Sequence, residues 1–341
     1  MSTHFTRRSL VRGITAATAV AMFATGLAAC GGDSDAATTT DNAAAGSVTI
    51  GQFSNGAATE TTLKVSEVKS ISAELPAAIR KSGKLVIGHG ALPSGSAPLD
   101  YVGDDQKTLT GSETDIGRLV AAVLGLEPES KNFTWENLFI GIDSGKVDVA
   151  FSNVTDTEER KQKYEFASYR QDNLAFEVLK SSNWKFDGDY KNLAGKTVSV
   201  GSGTNQERIL IEWQRKLQSE GKKLTIKHFP DNNGVYLALN SGRIDAHFGP
   251  NPSISYHITQ TAKTNKPTAN AGTFSGAGAS LQGLIAATSK KDSGLAEPVA
   301  DAINYLIENG QYAKWLAAWN LSNEAVAKSE VNPPGLPLDN S

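Results

Sequence analysis

The chain has 341 residues and a nearly balanced charge, with 33 lysines and arginines, 36 aspartates and glutamates, and a formal net charge of −3 at pH 7. Because the basic residues are scattered along the sequence, this composition argues against a nucleic-acid-binding protein. A single cysteine excludes an intramolecular disulfide framework. The five histidines have no paired metal-ligand spacing, so we expect neither a metal ion nor another cofactor.

The first 29 residues are predicted to be an export signal. Arg7, Arg8 and Arg12 precede a weakly apolar stretch at residues 14–29, which is shorter than the roughly 20 strongly apolar residues of a membrane span. The run Thr-Arg-Arg-Ser-Leu-Val at residues 6–11 resembles a twin-arginine signal, although paired arginines also occur in general export signals. We therefore expect an exported protein and leave its export route open.

A lipid anchor is predicted directly after this signal. Residues 27–30, Leu-Ala-Ala-Cys, resemble a bacterial lipobox, whose cysteine is acylated; the alternative is a chance cysteine after an ordinary cleavage site. Each buried methylene of an acyl chain contributes roughly 0.8 kcal/mol to membrane binding. We predict that Cys30 holds the protein on the outer face of the cell membrane, and that residues 30–60, poor in large apolar groups, form a flexible tether.

The rest of the chain repeats one pattern. Residues 142–151 and 239–248 each combine a helix end, a Ser-Gly stop and a short strand, and glycine-bounded strands at residues 83–88 and 195–201 precede them in the same order. The folded part, roughly 280 residues, is long for one core and suits two. The repeat therefore predicts two α/β lobes of similar plan.

Apolar residues at helical spacing separate these strands. One stripe runs over residues 116–124, a second follows the capping-box pattern at residues 204–207, and two more occupy residues 295–307 and 312–319. Strands that alternate with helices predict mostly parallel sheets. Ligands of such folds bind beyond the carboxyl ends of the strands, so we expect a site in a cleft between the lobes.

Several motifs together resemble a known protein family. Residues 83–320 resemble the family 3 extracellular solute-binding proteins, the polar amino-acid-binding receptors of bacterial ABC importers. The resemblance rests on the order and spacing of motifs such as Gly-Ser-Glu-Thr-Asp-Ile at residues 111–116, Thr-Asp-Thr-Glu-Glu-Arg at 155–160 and Gly-Arg-Ile-Asp-Ala at 242–246. It implies a two-lobed, periplasmic binding protein-like II fold of the α/β class, in which two mostly parallel sheets flanked by helices surround a hinged cleft.

The resemblance also implies domain limits and partners. Lobe I would comprise residues 61–175 and 284–325, lobe II residues 176–283, and the C-terminal tail residues 326–341, with strand crossovers near residues 166–177 and 281–286. The implied ligand is an amino acid or a related small carboxylate. The implied protein partners are ABC permease subunits served by a separate ATPase, and the receptor itself would be a monomer without catalytic activity.

The family's head-group positions fall on defined residues of this chain. Arg160 matches the arginine that clamps the ligand α-carboxylate, a role that suits a planar guanidinium able to donate two parallel hydrogen bonds. From the residues alone, Arg160 could equally be a solvated part of a Glu-Glu-Arg-Lys run. The other matched positions lie on a strand end, an aromatic position and a second-lobe loop: Ser152, Asn153, Thr155, Trp135, Gly203, Thr204 and Asn205.

Each of these matches has a structural alternative. The strand-end residues could be ordinary turn residues, Thr204 could be only a helix N-cap, and Trp135 could belong to the core. The loop before a helix nevertheless favours an anion, because orphan amide donors and the helix dipole point there. Ser96 occupies roughly the place of another family aromatic, in a loop of different length and sequence.

One departure concerns the ligand's ammonium group. Where the family has an ammonium-pairing acid, this chain has Pro250, and a first-loop acid typical of basic ligands falls on Gly90. The ligand either lacks a free α-ammonium or is paired by another carboxylate, for which Glu113 and Asp231 are candidates.

Two rival functions stay open at this point. Related folds host dehydratase-like enzymes, and carboxylates such as Glu113 and Asp115 could act as acid or base, although Asp115 is more simply a helix cap. A surface signalling or adhesion module is the second rival. Turnover of a bound ligand would single out the enzyme, and a neighbouring permease gene would single out the importer.

Overall fold

A computed structural model describes residues 46–339 of the chain. The predicted export signal, Cys30 and the tether up to residue 45 lie outside the described residues. Within the described range, no helix combines the length and the apolar character that crossing a membrane requires.

Strands and helices alternate along most of the described chain. The strands are β1 (Ser47–Ile50), β2 (Thr61–Lys64), β3 (Lys84–Leu92), β4 (Tyr101–Val102), β5 (Leu109–Thr110), β6 (Glu127–Thr134), β7 (Val149–Ala150), β8 (Tyr164–Leu179), β9 (Thr197–Ser199), β10 (Thr225–Lys227), β11 (Ala246–Pro250), β12 (Thr268–Ser275) and β13 (Gly283–Lys290). The helices are α1 (Lys69–Ser72), α2 (Ala77–Ser82), α3 (Ser112–Val123), α4 (Trp135–Asp143), α5 (Asn205–Ser219), α6 (Asn232–Asn240), α7 (Asn251–Thr261), α8 (Ala296–Glu308) and α9 (Gln311–Ala318).

One long strand joins two halves of a mixed sheet. The strands follow the order β10-β9-β11-β8-β13-β7-β3-β6, with β12 also paired to β8. Strand β8 pairs with β13 up to Asp172 and with β12 from Asn173 onward. We call the half with β3, β6, β7 and β13 lobe I, and the half with β9, β10, β11 and β12 lobe II. The chain returns to lobe I between Ser275 and Gly283, close to the expected second crossover.

The sequence repeat corresponds to a structural repeat. In lobe I, β3 lies between β6 and β7 and is parallel to both; in lobe II, β9 lies between β10 and β11 and is parallel to both. Each lobe thus contains three parallel strands, as predicted. Strand β8, which extends through both lobes, runs antiparallel to β11, β12 and β13, and β13 also runs antiparallel to β7.

The predicted helical stripes form the lobe cores. In α3, Ile116, Leu119 and Val120 are fully buried, and the helix stops before Gly125, which has a left-handed φ of 68°. Helices α8 and α9 pack on the same core with the large side chains Trp315 and Trp319. Lobe II has its own core, in which the rings of Phe176 and Phe248 are stacked 4.3 Å apart. The apolar cores of the two lobes are therefore separate.

The tether was predicted to extend to residue 60, but residues 46–60 belong to lobe I. Strand β1 pairs with β2, and the Gly51 amide donates to the Asp115 carboxylate at 2.7 Å. Asp115 also accepts from the Trp319 indole at 2.9 Å. It lies inside α3 and not at its cap, since Gly111 is the N-cap residue. The interpretation of Asp115 as a helix cap is therefore wrong, and burial raises its pKa to about 7.

The C-terminal tail lies along both lobes. In lobe I, the Asn332 amide donates to the Phe166 carbonyl at 2.9 Å, and Leu336 exchanges backbone hydrogen bonds with Asp156 and Glu158. The Leu336 side chain is fully buried within the lobe II core. Beyond it, Arg208 of α5 donates to the Leu338 carbonyl at 2.6 Å. The tail is therefore a packed segment that connects the lobes next to the crossover strand.

Candidate functional site

A cavity of about 130 Å³ lies between the lobes, and we call it the cleft cavity. Its walls follow the carboxyl ends of β7, β9 and β11, as expected for a ligand site in an α/β fold. The lining residues come from both lobes: Gly90, Ser96, Leu99, Asp100, Trp135, Ser152, Asn153, Thr204, Asn205, Gln206 and Pro250. Five of the eight residues predicted from the sequence to bind ligand are among them. Thr155, Arg160 and Gly203 lie just outside this lining.

Arg160 connects the two lobes at the edge of the cleft cavity. Its guanidinium donates to the Thr155 carbonyl at 2.9 Å within lobe I and to the Gly203 carbonyl at 3.3 Å in lobe II. The guanidinium carbon lies 5.4 Å from the centre of the Trp135 ring and 5.3 Å from that of Phe139, within cation–π range. Removal from water lowers the pKa of Arg160 to about 10, so the side chain is still charged at pH 7.

Gly203 presents its carbonyl to lobe I. Its φ of 71° is left-handed, which suits glycine, and its carbonyl oxygen also accepts from the Trp135 indole at 3.2 Å. The Gly203 amide donates to the Glu207 carboxylate at 2.6 Å, while the Thr204 hydroxyl accepts from the Glu207 amide at 3.2 Å. The predicted capping-box pattern is thus realised, with the Glu207 side chain on the residue before the N-cap. These two hydrogen bonds use some of the amide donors at the start of α5, where an anion was expected to bind.

Asp172 joins Thr155 of lobe I to Asn205 of lobe II. One of its carboxylate oxygens accepts from the Thr155 hydroxyl at 2.8 Å and from the Asn205 amide group at 2.9 Å. Asn205 also donates to the Gly276 carbonyl at 2.9 Å. Asp172 is buried at the crossover between the lobes, and burial raises its pKa to about 6. Both predicted polar residues are therefore held by a carboxylate that the sequence analysis did not single out.

Ser152 and Asn153 are held from behind by lobe I. The Ser152 hydroxyl accepts from the Gly90 amide at 2.7 Å and donates to Asp100 at 2.9 Å. Asn153 has a left-handed φ of 51°, which asparagine tolerates, and its amide donates to the Glu113 carboxylate at 2.8 Å. Its side-chain oxygen accepts from the buried Arg170. The strand end is rigid, and both residues still line the cleft cavity.

Comparison with known proteins identifies the family. Residues 91–322, most of the described chain, match the bacterial extracellular solute-binding proteins, family 3. The chain belongs to this family. It is 32% identical over 169 residues to the L-cystine-binding protein TcyJ of Escherichia coli K12. This match covers 49% of this chain and 59% of that protein. It is 24% identical over 269 residues to the arginine-binding protein ArgT of Corynebacterium glutamicum, covering 78% of this chain and 83% of that protein.

Solved structures of amino-acid-binding proteins share the fold. An amino acid ABC transporter substrate-binding protein, AbpA of Streptococcus pneumoniae, bound to L-arginine, has a TM-score of 0.58 with 27% identity, over 72% of this chain and 98% of that one. The arginine-, lysine-, histidine-binding protein ArtJ of Geobacillus stearothermophilus has a TM-score of 0.58 with 25% identity, over 69% of this chain and 94% of that one. The predicted two-lobed fold is confirmed.

Pro250, the residue expected from the family resemblance at the position of the ammonium-pairing acid, lines the cleft cavity. Glu113 and Asp231, the two candidate replacements, do not line this cavity. Glu113 is fully buried in lobe I, where it accepts from Tyr169, Arg170 and the Asn153 amide. Asp231 accepts from the Gly234 amide at 2.8 Å as the N-cap of α6. Neither carboxylate is therefore part of the cavity wall.

Three lining residues escaped the sequence analysis: Leu99, Asp100 and Gln206. The sequence contained a signal for Asp100. It lies in the loop after β3, and the loops at the ends of the parallel strands were already expected to face the cleft. Gln206 directly follows the predicted Asn205. Ser96, the weakly matched aromatic position, lines the cavity and bonds Ser253 of lobe II at 2.8 Å.

A second, larger cavity of about 400 Å³ lies between α7 and the segment after α9. Tyr256, Trp319 and Glu324 are among its lining residues, and none of the predicted site residues is. Its size alone does not make it the ligand site. The cleft cavity has the convergent polar groups that a small-molecule site requires.

Proposed function

We propose that this protein is the extracytoplasmic, lipid-anchored receptor of an ABC importer, and that it captures an amino acid or a related small carboxylate when its lobes close. The named relatives bind L-cystine or arginine, which are amino acids of different size. Because the chain spans only 59% of the length of the Escherichia coli relative, the ligand, the permease and the separate ATPase are proposed by analogy.

The observation that supports ligand capture is the position of Arg160. A guanidinium at the edge of an interlobe cavity is a suitable clamp for a carboxylate, because it offers a planar fork of donors. Here the fork points at two carbonyl oxygens, Thr155 in lobe I and Gly203 in lobe II. A ligand carboxylate bound to Arg160 is therefore within reach of both lobes, and its binding free energy favours the closed arrangement.

The predicted N-terminus supports the proposed anchor. An acylated Cys30, followed by a tether of roughly 15 residues before β1, would hold the folded lobes near the membrane surface. At that distance the receptor can reach a permease in the same membrane. A monomer is sufficient for this function, since both walls of the cleft cavity come from one chain.

The enzymatic alternative receives little support from the candidate acids. Glu113 and Asp115 are both buried, and their carboxylates accept hydrogen bonds from Tyr169, Arg170, Trp319 and backbone amides. Neither residue lines the cleft cavity. A general acid or base must reach the proton that it transfers, and these two are held away from the cavity.

A thermal-shift screen of the twenty amino acids, L-cystine and small carboxylates, followed by calorimetry, tests the proposal. Arg160→Ala should weaken binding of the best ligand by at least about thirtyfold, because loss of a buried charge partner costs roughly 2–5 kcal/mol. The matched control is Arg215→Ala, which removes an exposed arginine from α5. An Arg160→Ala affinity within threefold of wild type would exclude the clamp. Turnover of the ligand would favour the enzyme instead.

A further inference from the structure

Asp100 contributes a negative charge to the wall of the cleft cavity. Among the described residues that line this cavity it is the only one with an ionisable side chain. It lies in the loop between β3 and β4 and is 4% exposed. A charged group in the wall of a cavity of about 130 Å³ strongly affects the electrostatic potential felt by a ligand there.

The Asp100 carboxylate is held by three donors and has room for another. One oxygen accepts from His89 and from the Thr114 hydroxyl, each at 3.1 Å. The other oxygen accepts from the Ser152 hydroxyl at 2.9 Å. A carboxylate has about four acceptor sites, so one lone pair is left on the second oxygen. The carboxylate is thus oriented by lobe I before any ligand arrives.

The partners of Asp100 in the described residues include a histidine but neither a lysine nor an arginine. In the part of the chain that the structure describes, no lysine or arginine forms an ion pair with Asp100. His89 is its ion-pair candidate, but the second ring nitrogen of His89 is buried without a hydrogen-bond partner. Burying a carboxylate without a lysine or arginine partner is costly, and a cation in the cavity would offset the cost.

We propose that Asp100 binds the ammonium group of the ligand and so replaces the acid that Pro250 does not supply. This inference rests on the proposed function and narrows its ligand class to amino acids with a free amine. Such a ligand would place its carboxylate on Arg160 and its ammonium on Asp100, both in lobe I. Pro250, on the opposite wall, then needs no charge.

Asp172 is the competing carboxylate. It is close to Arg160, but the oxygen that faces Thr155 and Asn205 already accepts from both, and Asp172 does not line the cleft cavity. Its contacts join the two lobes to each other, which is a structural role. The two aspartates therefore have different expected effects, and the experiment includes both.

The test uses calorimetry with the amino acid that binds most tightly among the twenty and L-cystine, together with its deaminated and N-acetylated counterparts. The variants are Asp100→Asn, Asp172→Asn and the control Asp104→Asn, an exposed carboxylate near the same loop. We expect wild type to prefer the free amino acid over both counterparts. Asp100→Asn should weaken the amino acid at least about tenfold and leave the deaminated compound within threefold, whereas a merely structural role would weaken both equally.

Each outcome supports or overturns either the assignment of Asp100 or the proposed function. Loss of the amine preference in Asp172→Asn but not in Asp100→Asn would overturn the assignment, as would binding of the amino acid by Asp100→Asn within threefold of wild type. If only deaminated or N-acetylated compounds bind wild type, Asp100 is not an ammonium site and the carboxylate receptor stands. If nothing in the panel binds, the proposed function fails as well. If Asp100→Asn does not fold, the wild-type comparison of the three compounds still tests whether the site prefers a free amine, and absence of that preference would overturn the proposal.

Discussion

The guanidinium of Arg160 in lobe I donates a hydrogen bond to the carbonyl oxygen of Gly203 in lobe II at 3.3 Å. The Trp135 indole donates to the same oxygen at 3.2 Å, and its ring lies within cation–π range of the guanidinium. One backbone carbonyl thus receives two donors from the facing lobe. This contact makes the affinity for a ligand depend on the pairing of the lobes as well as on the groups that touch it.

The indole N–H of Trp135 should contribute to affinity through lobe closure. Trp135→Phe keeps a ring beside Arg160 but removes the donor to Gly203. A neutral hydrogen bond contributes roughly 0.5–1.5 kcal/mol, so we expect binding to weaken about two- to tenfold in calorimetry. Trp184→Phe is the matched control, because it removes an indole bond to Asn192 inside lobe II. Equal losses of affinity in the two variants would contradict the closure role.

The C-terminal tail should stabilise the fold through Leu336. This side chain is fully buried in the lobe II core, so Leu336→Ala should lower the free energy of unfolding by roughly 2–5 kcal/mol in urea titrations. Leu338→Ala removes the same atoms from a side chain that is 62% exposed, and its effect should stay within about 0.5 kcal/mol. A loss below about 1 kcal/mol for Leu336→Ala would mean that the tail is dispensable for stability.

Asp156 should make the protein less stable as pH rises. It is fully buried, neither carboxylate oxygen has a hydrogen-bond partner within residues 46–339, and burial raises its pKa to about 7. Because the folded pKa exceeds that of the unfolded chain, the folded state retains a proton that the unfolded state releases. The resulting stabilisation is complete below about pH 4 and is lost as pH rises through about 7.

Asp156→Asn removes this titration. Relative to wild type, the variant should gain of order 2 kcal/mol of stability between pH 5 and pH 8, measured by denaturant unfolding at each pH. Asp104→Asn, which changes an exposed carboxylate, should show nearly the same small difference from wild type at both pH values. A constant difference for Asp156→Asn across this range would show that Lys161, 3.5 Å from the carboxylate, keeps Asp156 ionised.

Cys30 should hold the mature protein at the membrane. Cys30→Ala is expected to release the protein from the membrane fraction or to block its processing, since no other cysteine is available for acylation. Ser34→Ala serves as the control within the same segment. Retention of Cys30→Ala in the membrane fraction at the wild-type level would rule out the lipid anchor.

Local pattern and motif order were sufficient to predict the two lobes, the main helices and a cleft beyond the strand ends. The stripe at residues 116–124, the cap at Thr204 and the repeated helix–strand units each depend on neighbouring residues, and each is confirmed. Such features follow from helical and strand periodicity, which a short segment expresses by itself.

Only the tertiary structure decided which groups meet in the cleft. Asp100 reaches His89 and Ser152, Asp172 links Thr155 to Asn205, and residues 46–60 dock on Asp115. These partners are far apart in sequence, so their contact depends on how the lobes fold and face each other. For the same reason the sequence could show that Pro250 lacks a charge, while the position of the carboxylate that lines the cavity required the packed structure.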